Sequence, residues 1–394
     1  RIRKIAPIRI AIADVSPMVP AVRPISISIV LTASPLRMAA SGVTLEYTSI
    51  PFFVMPNFVI SAANAIKAFR KEPLQYVYGA PQEAEVRQKI GATIRAAKLK
   101  YDMKHLRVAA VGHTPQGFGF GRALDLEMLE NFGVTLDSIE ARELIDRAKT
   151  YSDADVEAYL EDAEEKMCGL CETPQKNRMD FARLYKAYKD YVTEQQIGAL
   201  ASRCWPDFFT AYGTPVCAVL AMLNDLGVAA SCEADTYGAL SMYLGMQLTK
   251  HATFFGDPVS LDETENTITF WHCGTAACSL AREDTGARVD VHCNRKIGPT
   301  LDFGCRPCQE VTIFRIGKDG DGRFRFFIAG GEALDKPKQF NGTSIVVQTK
   351  ANAKQLVYDS VKAGWEPHFV VAYGNIVAEL EILAEMLNME VQKF

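Results

Sequence analysis

Two carboxylates stand one helix-length apart: Glu233 in Ala230-Ser231-Cys232-Glu233-Ala234-Asp235, and Asp257 in Phe254-Phe255-Gly256-Asp257-Pro258. Each closes a short apolar run of strand type, and Thr236 to Leu248 between them reads as a helix. In α/β sheets, ligands bind outside the carboxyl ends of strands, so a strand–helix–strand unit here would bring both acids to such an edge. Paired carboxylates suit a divalent cation that prefers oxygen ligands. Taken alone, each acid has a plainer reading. Glu233 could be an acid favoured by a helix dipole, and Asp257 before Pro258 a turn residue.

Other side chains could contact a substrate near this pair. His272 ends the alternating run Thr267–Trp271 and is either a substrate contact or a hydrogen-bonded core histidine. Arg203-Cys204-Trp205-Pro206 offers a charge, a thiol and an indole that could stack on a sugar face or fill core. His113 and Gln116 sit in the Gly-rich run His113-Thr114-Pro115-Gln116-Gly117-Phe118-Gly119-Phe120-Gly121, and could reach the same cleft. His105, His251 and His292 read as structural. Arg203, Arg295, Lys296 and Arg306 are candidates for an anionic substituent on the substrate.

The Gly-rich run follows the buried-strand pattern Leu106–Gly112 and precedes a helix, Arg122 to Phe132, which invites a dinucleotide reading. The glycines alternate where that motif needs G-x-G-x-x-G, and Pro115 interrupts the turn. The preferred reading is a βα turn facing the cleft. Two C-x-x-C pairs, Cys168/Cys171 and Cys305/Cys308, could together make a four-thiolate metal site. Separate reduced thiols are the preferred reading.

The chain has 394 residues, 48% hydrophobic and 23% charged, enough for two or three domains with real cores. A net charge of -4, with both signs interspersed, lacks the basic stripe a nucleic acid needs. An uninterrupted run of about 18 apolar residues, the membrane-span signature, is missing. Arg9 and Asp14 break the one weak signal-like segment, so a cytoplasmic enzyme is expected.

The elements that must position these residues change texture along the chain. Thr44–Ile50 and Gln75–Gly79 read as strands, and Ala62–Arg70 and Gln82–Lys98 as helices. Ser152–Lys166, Arg178–Leu200 and Thr214–Leu226 read as helices around the strands Leu106–Gly112, Val134–Ile139 and Val228–Cys232. After residue 256, alternating strands dominate: Thr267–Trp271, Arg288–His292, Glu310–Ile316, Arg323–Ile328 and Thr343–Gln348. Helix Ala351–Ala363, strand His368–Ala372 and helix Ile376–Leu387 end the chain. The expectation is α/β: two doubly wound parallel-sheet domains, then a mostly antiparallel, barrel-like C-terminal domain. The boundaries fall at 1–104, whose first 50 residues read as trimmed pieces, at 105–255 carrying Glu233, and at 256–394 carrying Asp257 and His368.

The segment from Glu233 to Asp257, with Gly238, Leu244-Gly245 and Gln247-Leu248-Thr249 between, resembles the metal-site segment of L-fucose isomerases. The L-arabinose isomerases share that fold more distantly. Pro367-His368-Phe369, before Val370-Val371-Ala372-Tyr373-Gly374 and the last helix, resembles the family's C-terminal histidine segment. Arg203-Cys204-Trp205-Pro206-Asp207 occupies the place of a Gln-Arg-Gln-Trp-type segment, with Ser202 and Cys204 replacing the glutamines. His272-Cys273-Gly274-Thr275-Ala276-Ala277 resembles a small-Gly-small loop.

The resemblance implies an aldose–ketose isomerase acting on a free or modified monosaccharide through a metal-bound cis-enediol. Glu233, Asp257 and His368 would be the metal ligands, and the two acids also the acid/base pair. Mn2+ is the implied ion, with Mg2+ or Co2+ as substitutes. It also implies a homo-oligomer, a hexamer or a trimer. The altered flanks of the sugar site make the reaction class a firmer inference than fucose. Two alternatives belong to other classes: a two-lobed sugar-binding protein without catalysis, and a thiolate-metal protein using the C-x-x-C pairs.

Overall fold

The computed structural model describes residues 82–394 continuously, with 29–32, 63–64, 67, 74–77 and 79 before them. The chain separates into two units at Tyr101/Asp102. In the first, β1 (Ile29–Thr32) pairs antiparallel with β2 (Leu74–Val77). Helix α1 (Ala84–Met103) runs through the junction. The expected strand Thr44–Ile50 lies outside the described residues. Of the expected helix Ala62–Arg70, only Ala63, Asn64 and Lys67 are described, as helical.

The second unit begins as a βα-alternating layer. Its elements are β3 (Arg107–Val111), α2 (Asp125–Phe132), β4 (Thr135–Ile139), α3 (Ala141–Thr150), α4 (Asp153–Lys166), α5 (Gln175–Glu194), β5 (Ala199–Ser202), α6 (Cys217–Asp225), β6 (Ala229–Ser231) and α7 (Thr236–Thr249). The four strands form one parallel sheet in the order β4-β3-β5-β6. Val108, Ala109, Ala199, Leu200 and Ala201 are fully buried, as expected of strands covered on both faces. Helix α6 is buried along almost its whole length, as its all-round apolar sequence requires.

The remainder is a barrel. Strands β7 (Phe254–Asp262) and β8 (Thr267–His272) form a hairpin, and β9 (Val289–Asp290) and β10 (Thr300–Leu301) make a small separate ladder. Then follow β11 (Cys308–Lys318), β12 (Phe324–Ala333), β13 (Thr343–Thr349), α8 (Ala353–Lys362), β14 (Phe369–Ala372), α9 (Val377–Leu387) and β15 (Glu390–Lys393). The order β11-β14-β7-β8-β13-β12 closes on itself through β11–β12 pairing, giving six antiparallel strands. Strand β15 adds in parallel to β12.

The expected fold is met in its barrel and in one parallel sheet, the one such sheet among the described residues. Three expectations need correction. Glu233 and Asp257 do not flank a strand–helix–strand unit of one sheet, because α7 leaves the parallel sheet and delivers the chain to the barrel. Asp257 lies within β7, not at its end, since pairing with β8 continues past Pro258 through an irregularity to Asp262. The expected helix Arg178–Leu200 stops at Glu194, and Ala199–Ser202 is a central strand between β3 and β6. Periodicity cannot tell a four-residue apolar strand from a helix end. Partners on both sides decide it. No helix among the described residues is long and apolar enough to cross a membrane.

Candidate metal and sugar site

The C-terminal edge of the parallel sheet supplies one wall. After β6 the backbone turns through two non-glycine residues in the left-handed region, Glu233 (φ 58°) and Ala234 (φ 54°). Such residues are costly unless surrounding contacts hold them. Here the Ala234 amide donates to the Ser202 carbonyl at 3.0 Å, tying the turn to the end of β5. Asp235 then caps α7, accepting the Gly238 amide at 2.8 Å. A Cβ on Gly238 would lie 2.5 Å from the Phe255 ring, and one on Gly121 2.7 Å from the Asp235 backbone. Both glycines let elements close on the capping carboxylate.

The barrel supplies the other wall. Phe369 pairs with Gly256, so His368, one residue earlier, comes abreast of Asp257. Asp257 pairs in turn with Trp271, and His272 follows at the end of β8. His368 is fully buried. Its Nδ1 lies 2.9 Å from Asp235 Oδ2, and its Nε2 lies 3.0 Å from Glu233 Oε2 and 3.6 Å from Asp257 Oδ1. His272 Nε2 approaches the same Glu233 oxygen at 3.8 Å.

Asp235 is held by Arg315 on β11, whose Nη1 donates to Oδ2 at 2.8 Å and to the His368 carbonyl at 2.8 Å. Arg315 is itself buried, with the Glu366 carboxylate 3.5 Å from its Nε. Burial works against ionisation of Asp235, but Arg315 and His368 outweigh it and hold the carboxyl far below its usual range. Burial likewise pulls the His368 imidazole down, yet Asp235, Glu233 and Asp257 raise it to about 10. Asp257 is raised by burial, partly offset by the two histidines.

A divalent cation fits this donor set. With Asp235 against Nδ1, His368 is oriented so that Nε2 faces oxygens of Glu233 and Asp257. A buried nitrogen so placed attracts a cation, whether a proton or a metal. Glu233, His272 and His368 offer ligand atoms that all lie within 4.8 Å of one another. Asp257 Oδ1, 3.6 Å from His368 Nε2, adds a second carboxylate beside that set.

Aromatic side chains close the site. Trp205 Nε1 donates to Glu233 Oε1 at 3.4 Å. Phe118 stacks on His368 with centroids 5.8 Å apart, and Phe120 meets it edge-on at 5.4 Å. The Gly-rich loop thus faces the site through its phenylalanines. Its His113 instead bonds Arg122 at 2.9 Å, and Gln116 is exposed. Arg203 is engaged with Asp207 at 2.7 Å and with the Trp205 carbonyl at 3.2 Å. Cys204 is buried beside Cys232. Arg295 lies with its guanidinium 5.5 Å from the Trp205 ring centroid. A cavity of about 540 Å³ nearby is lined by Thr173, Asn177, Asp290 and Lys296, and by neither catalytic candidate.

Sequence reasoning assigned no role to Asp235, Arg315, Phe118 or Phe120. A signal existed for Arg315: a lone charge inside Val311-Thr312-Ile313-Phe314-Arg315-Ile316 must find a buried partner.

Carboxylates and imidazoles thus gather between the carboxyl edge of a parallel sheet and a six-stranded barrel. Residues 303–394 match a family described as L-fucose isomerase, C-terminal domain. A sulfoquinovose isomerase of Clostridium sp. (strain MSTE9) is 62% identical over 334 residues, covering 85% of this chain and 75% of that protein. Sulfoquinovose isomerases of Priestia megaterium (strain ATCC 12872 / QMB1551) and Alkalicoccus urumqiensis are 35% and 34% identical, covering 85% and 81% of this chain and 74% and 72% of theirs. The chain belongs to the fucose isomerase-like family that contains the sulfoquinovose isomerases, and is an aldose–ketose isomerase.

Proposed function

We propose that the chain converts sulfoquinovose, or a closely similar sulfonated aldose, to its ketose by moving a proton between C2 and C1. The observation that carries the site assignment is His368, whose Nδ1 is tied to Asp235 while Nε2 faces Glu233 and Asp257. Glu233, Asp257 and His368, with His272 beside them, would hold a divalent ion, Mn2+ first, with Mg2+ or Co2+ as substitutes. When bound, the ion supplies Lewis-acid stabilisation of the negative charge that develops on the two sugar oxygens.

The chain's own side chains account for the remaining demands. One of Glu233 and Asp257 takes the C2 proton while the other serves the neighbouring oxygens, and general acid–base help of this kind contributes about 10²–10⁴-fold. Trp205 restrains Glu233 through its indole N–H. Phe118 and Phe120 exclude water around His368. Arg295, beside Trp205 and exposed, is placed to meet an anionic substituent remote from the reacting carbons. Asp235 and Arg315 act through His368 as positioning residues. The homo-oligomer implied by the family resemblance is carried as part of this proposal.

The test uses chain stripped of metal, reloaded with Mn2+ and offered sulfoquinovose beside fucose and glucose, with Glu233→Gln in parallel. Metal-dependent ketose formation from the sulfonated sugar, lost in the variant, is the expected result. Turnover of fucose or glucose with equal efficiency would overturn the substrate. Mn2+ failing to bind would overturn the ligand set.

A further inference from the structure

Directly behind the site lies a second group of donors. Cys204, Cys217, Cys232 and Cys273 are buried, and the Cys232 sulfur sits among the other three. They come from four separate places: the loop after β5, the first residue of α6, the turn after β6 and the residue after β8. Cys217, Cys273 and His292 form one set of donor atoms within 4.8 Å of one another, and Cys232, Cys273 and His272 form another. Cys273 belongs to both.

His292 accepts the amides of Asn294 and Arg295 on Nδ1, at 3.2 and 3.3 Å, so its ring is committed to the 292–295 loop. The Cys273 sulfur lies 3.5 Å from His272 Nδ1, the nitrogen facing away from Glu233. Sulfur is the common donor of this cluster. None of the four thiols belongs to a C-x-x-C pair. Cys168 and Cys171 are exposed, and neither they nor Cys305 and Cys308 fall in any such set among the described residues. Cys204 falls in none either and joins the group through its contact with Cys232.

We propose that Cys217, Cys232 and Cys273, with Cys204 as fourth donor, bind a thiophilic cation of the zinc type as a closed structural site. Tetrahedral coordination at about 2.3 Å to sulfur places donor atoms roughly 3.8 Å apart. Cys273 lies within 4.8 Å of both Cys217 and Cys232, and Cys204 and Cys217 each contact Cys232. Closed burial matches a structural centre, which keeps no open position. Cys217 at the start of α6 puts one thiolate at a helix N-terminus, where negative charge is favoured. The functional consequence follows from two peptide bonds. Cys232 precedes Glu233, and Cys273 follows His272, so one ion would pin both backbones from behind.

The cation is tested on the full chain, without reading turnover. Metal-stripped protein is titrated with Co2+, then with Zn2+ and Mn2+ as competitors. The expected result is a sulfur-to-cobalt charge-transfer band saturating at one equivalent, displaced by Zn2+ but not by Mn2+. It should persist unchanged in His368→Ala and lose about a quarter of its intensity, with weaker cobalt binding, in Cys217→Ser. X-ray absorption of zinc-loaded wild type, which needs no variant to fold, should show a sulfur shell near about 2.3 Å. Cobalt binding with no such band, a band and affinity identical in wild type and Cys217→Ser, or a zinc shell of nitrogen and oxygen alone would overturn the site. These readouts fail independently of the isomerase assignment, which rests on Mn2+ and sugar.

Discussion

Two donor clusters share a backbone and face opposite ways. Glu233 and His272 look into the sugar site, where Asp257 is only partly buried. Their covalent neighbours, Cys232 and Cys273, look into a sealed interior. The front cluster offers carboxylate oxygens and imidazole nitrogens; the back one offers sulfur. Hard and soft donors select different metals, so adjacent residues can sort two ions by chemistry alone. Exposure follows role. In the proposed roles, the cluster with the partly exposed Asp257 would meet the substrate, whereas the closed one would hold shape.

The comparison is broken most forcefully from the front. Glu233→Gln should lower kcat by about 10²–10⁴-fold while the cobalt–thiolate band stays unchanged. Steady-state kinetics and one absorption spectrum on the same sample check both halves. Next comes Asp235→Asn, which keeps the cap on α7 because asparagine also accepts the Gly238 amide. It removes the charge facing His368, so Mn2+ affinity should fall about 10–100-fold with the thiol cluster unaffected. Titration calorimetry measures the first effect, and thermal unfolding guards against a global one.

The front cluster should also answer to pH. His368, held up to about 10 by its carboxylates, carries a proton on Nε2 at neutral pH that Mn2+ must displace. Below that value, Mn2+ affinity should therefore rise with pH, by about tenfold per unit for one proton released. Calorimetry in buffers of different ionisation enthalpy would count that proton, and a pH-independent affinity would contradict it. The smallest effect lies outside both clusters. Arg295→Gln should raise KM for a sulfonated sugar roughly tenfold, about 1.4 kcal/mol, with kcat little changed. An equal KM rise for an uncharged sugar would assign Arg295 to packing on Trp205 instead.

Much of this was legible in the chain. The apolar run before Glu233, the helix length after it and the alternating barrel strands are patterns with defined periods. The spacing of Glu233 and Asp257 pointed to one strand–helix–strand unit that the fold does not contain, whereas His368 entered only through family resemblance, because one histidine after proline carries no local signal. The rest depended on topology. Ala199–Ser202 is a strand only because β3 and β6 flank it. Asp257 falls mid-strand because β7 continues past Pro258. Asp235 and Arg315 are 80 residues apart, and only the packing of α7 on the barrel brings them to 2.8 Å. Four cysteines at unrelated spacings showed nothing in sequence, while the two conspicuous C-x-x-C pairs drew attention elsewhere.

Helix α7 spans the step from one sheet to the other, and this governs how the enzyme would fail. Glu233 travels with the parallel sheet; Asp257, His272, Arg315 and His368 travel with the barrel. The seam is tied by Arg315 to Asp235 and by the Ile316 amide donating to Ser241 Oγ, and were it to loosen, each layer's ladder would still be its own. The carboxylate–imidazole centre is then a gauge of seam integrity, sensitive to sub-global openings that leave most backbone amides protected from exchange.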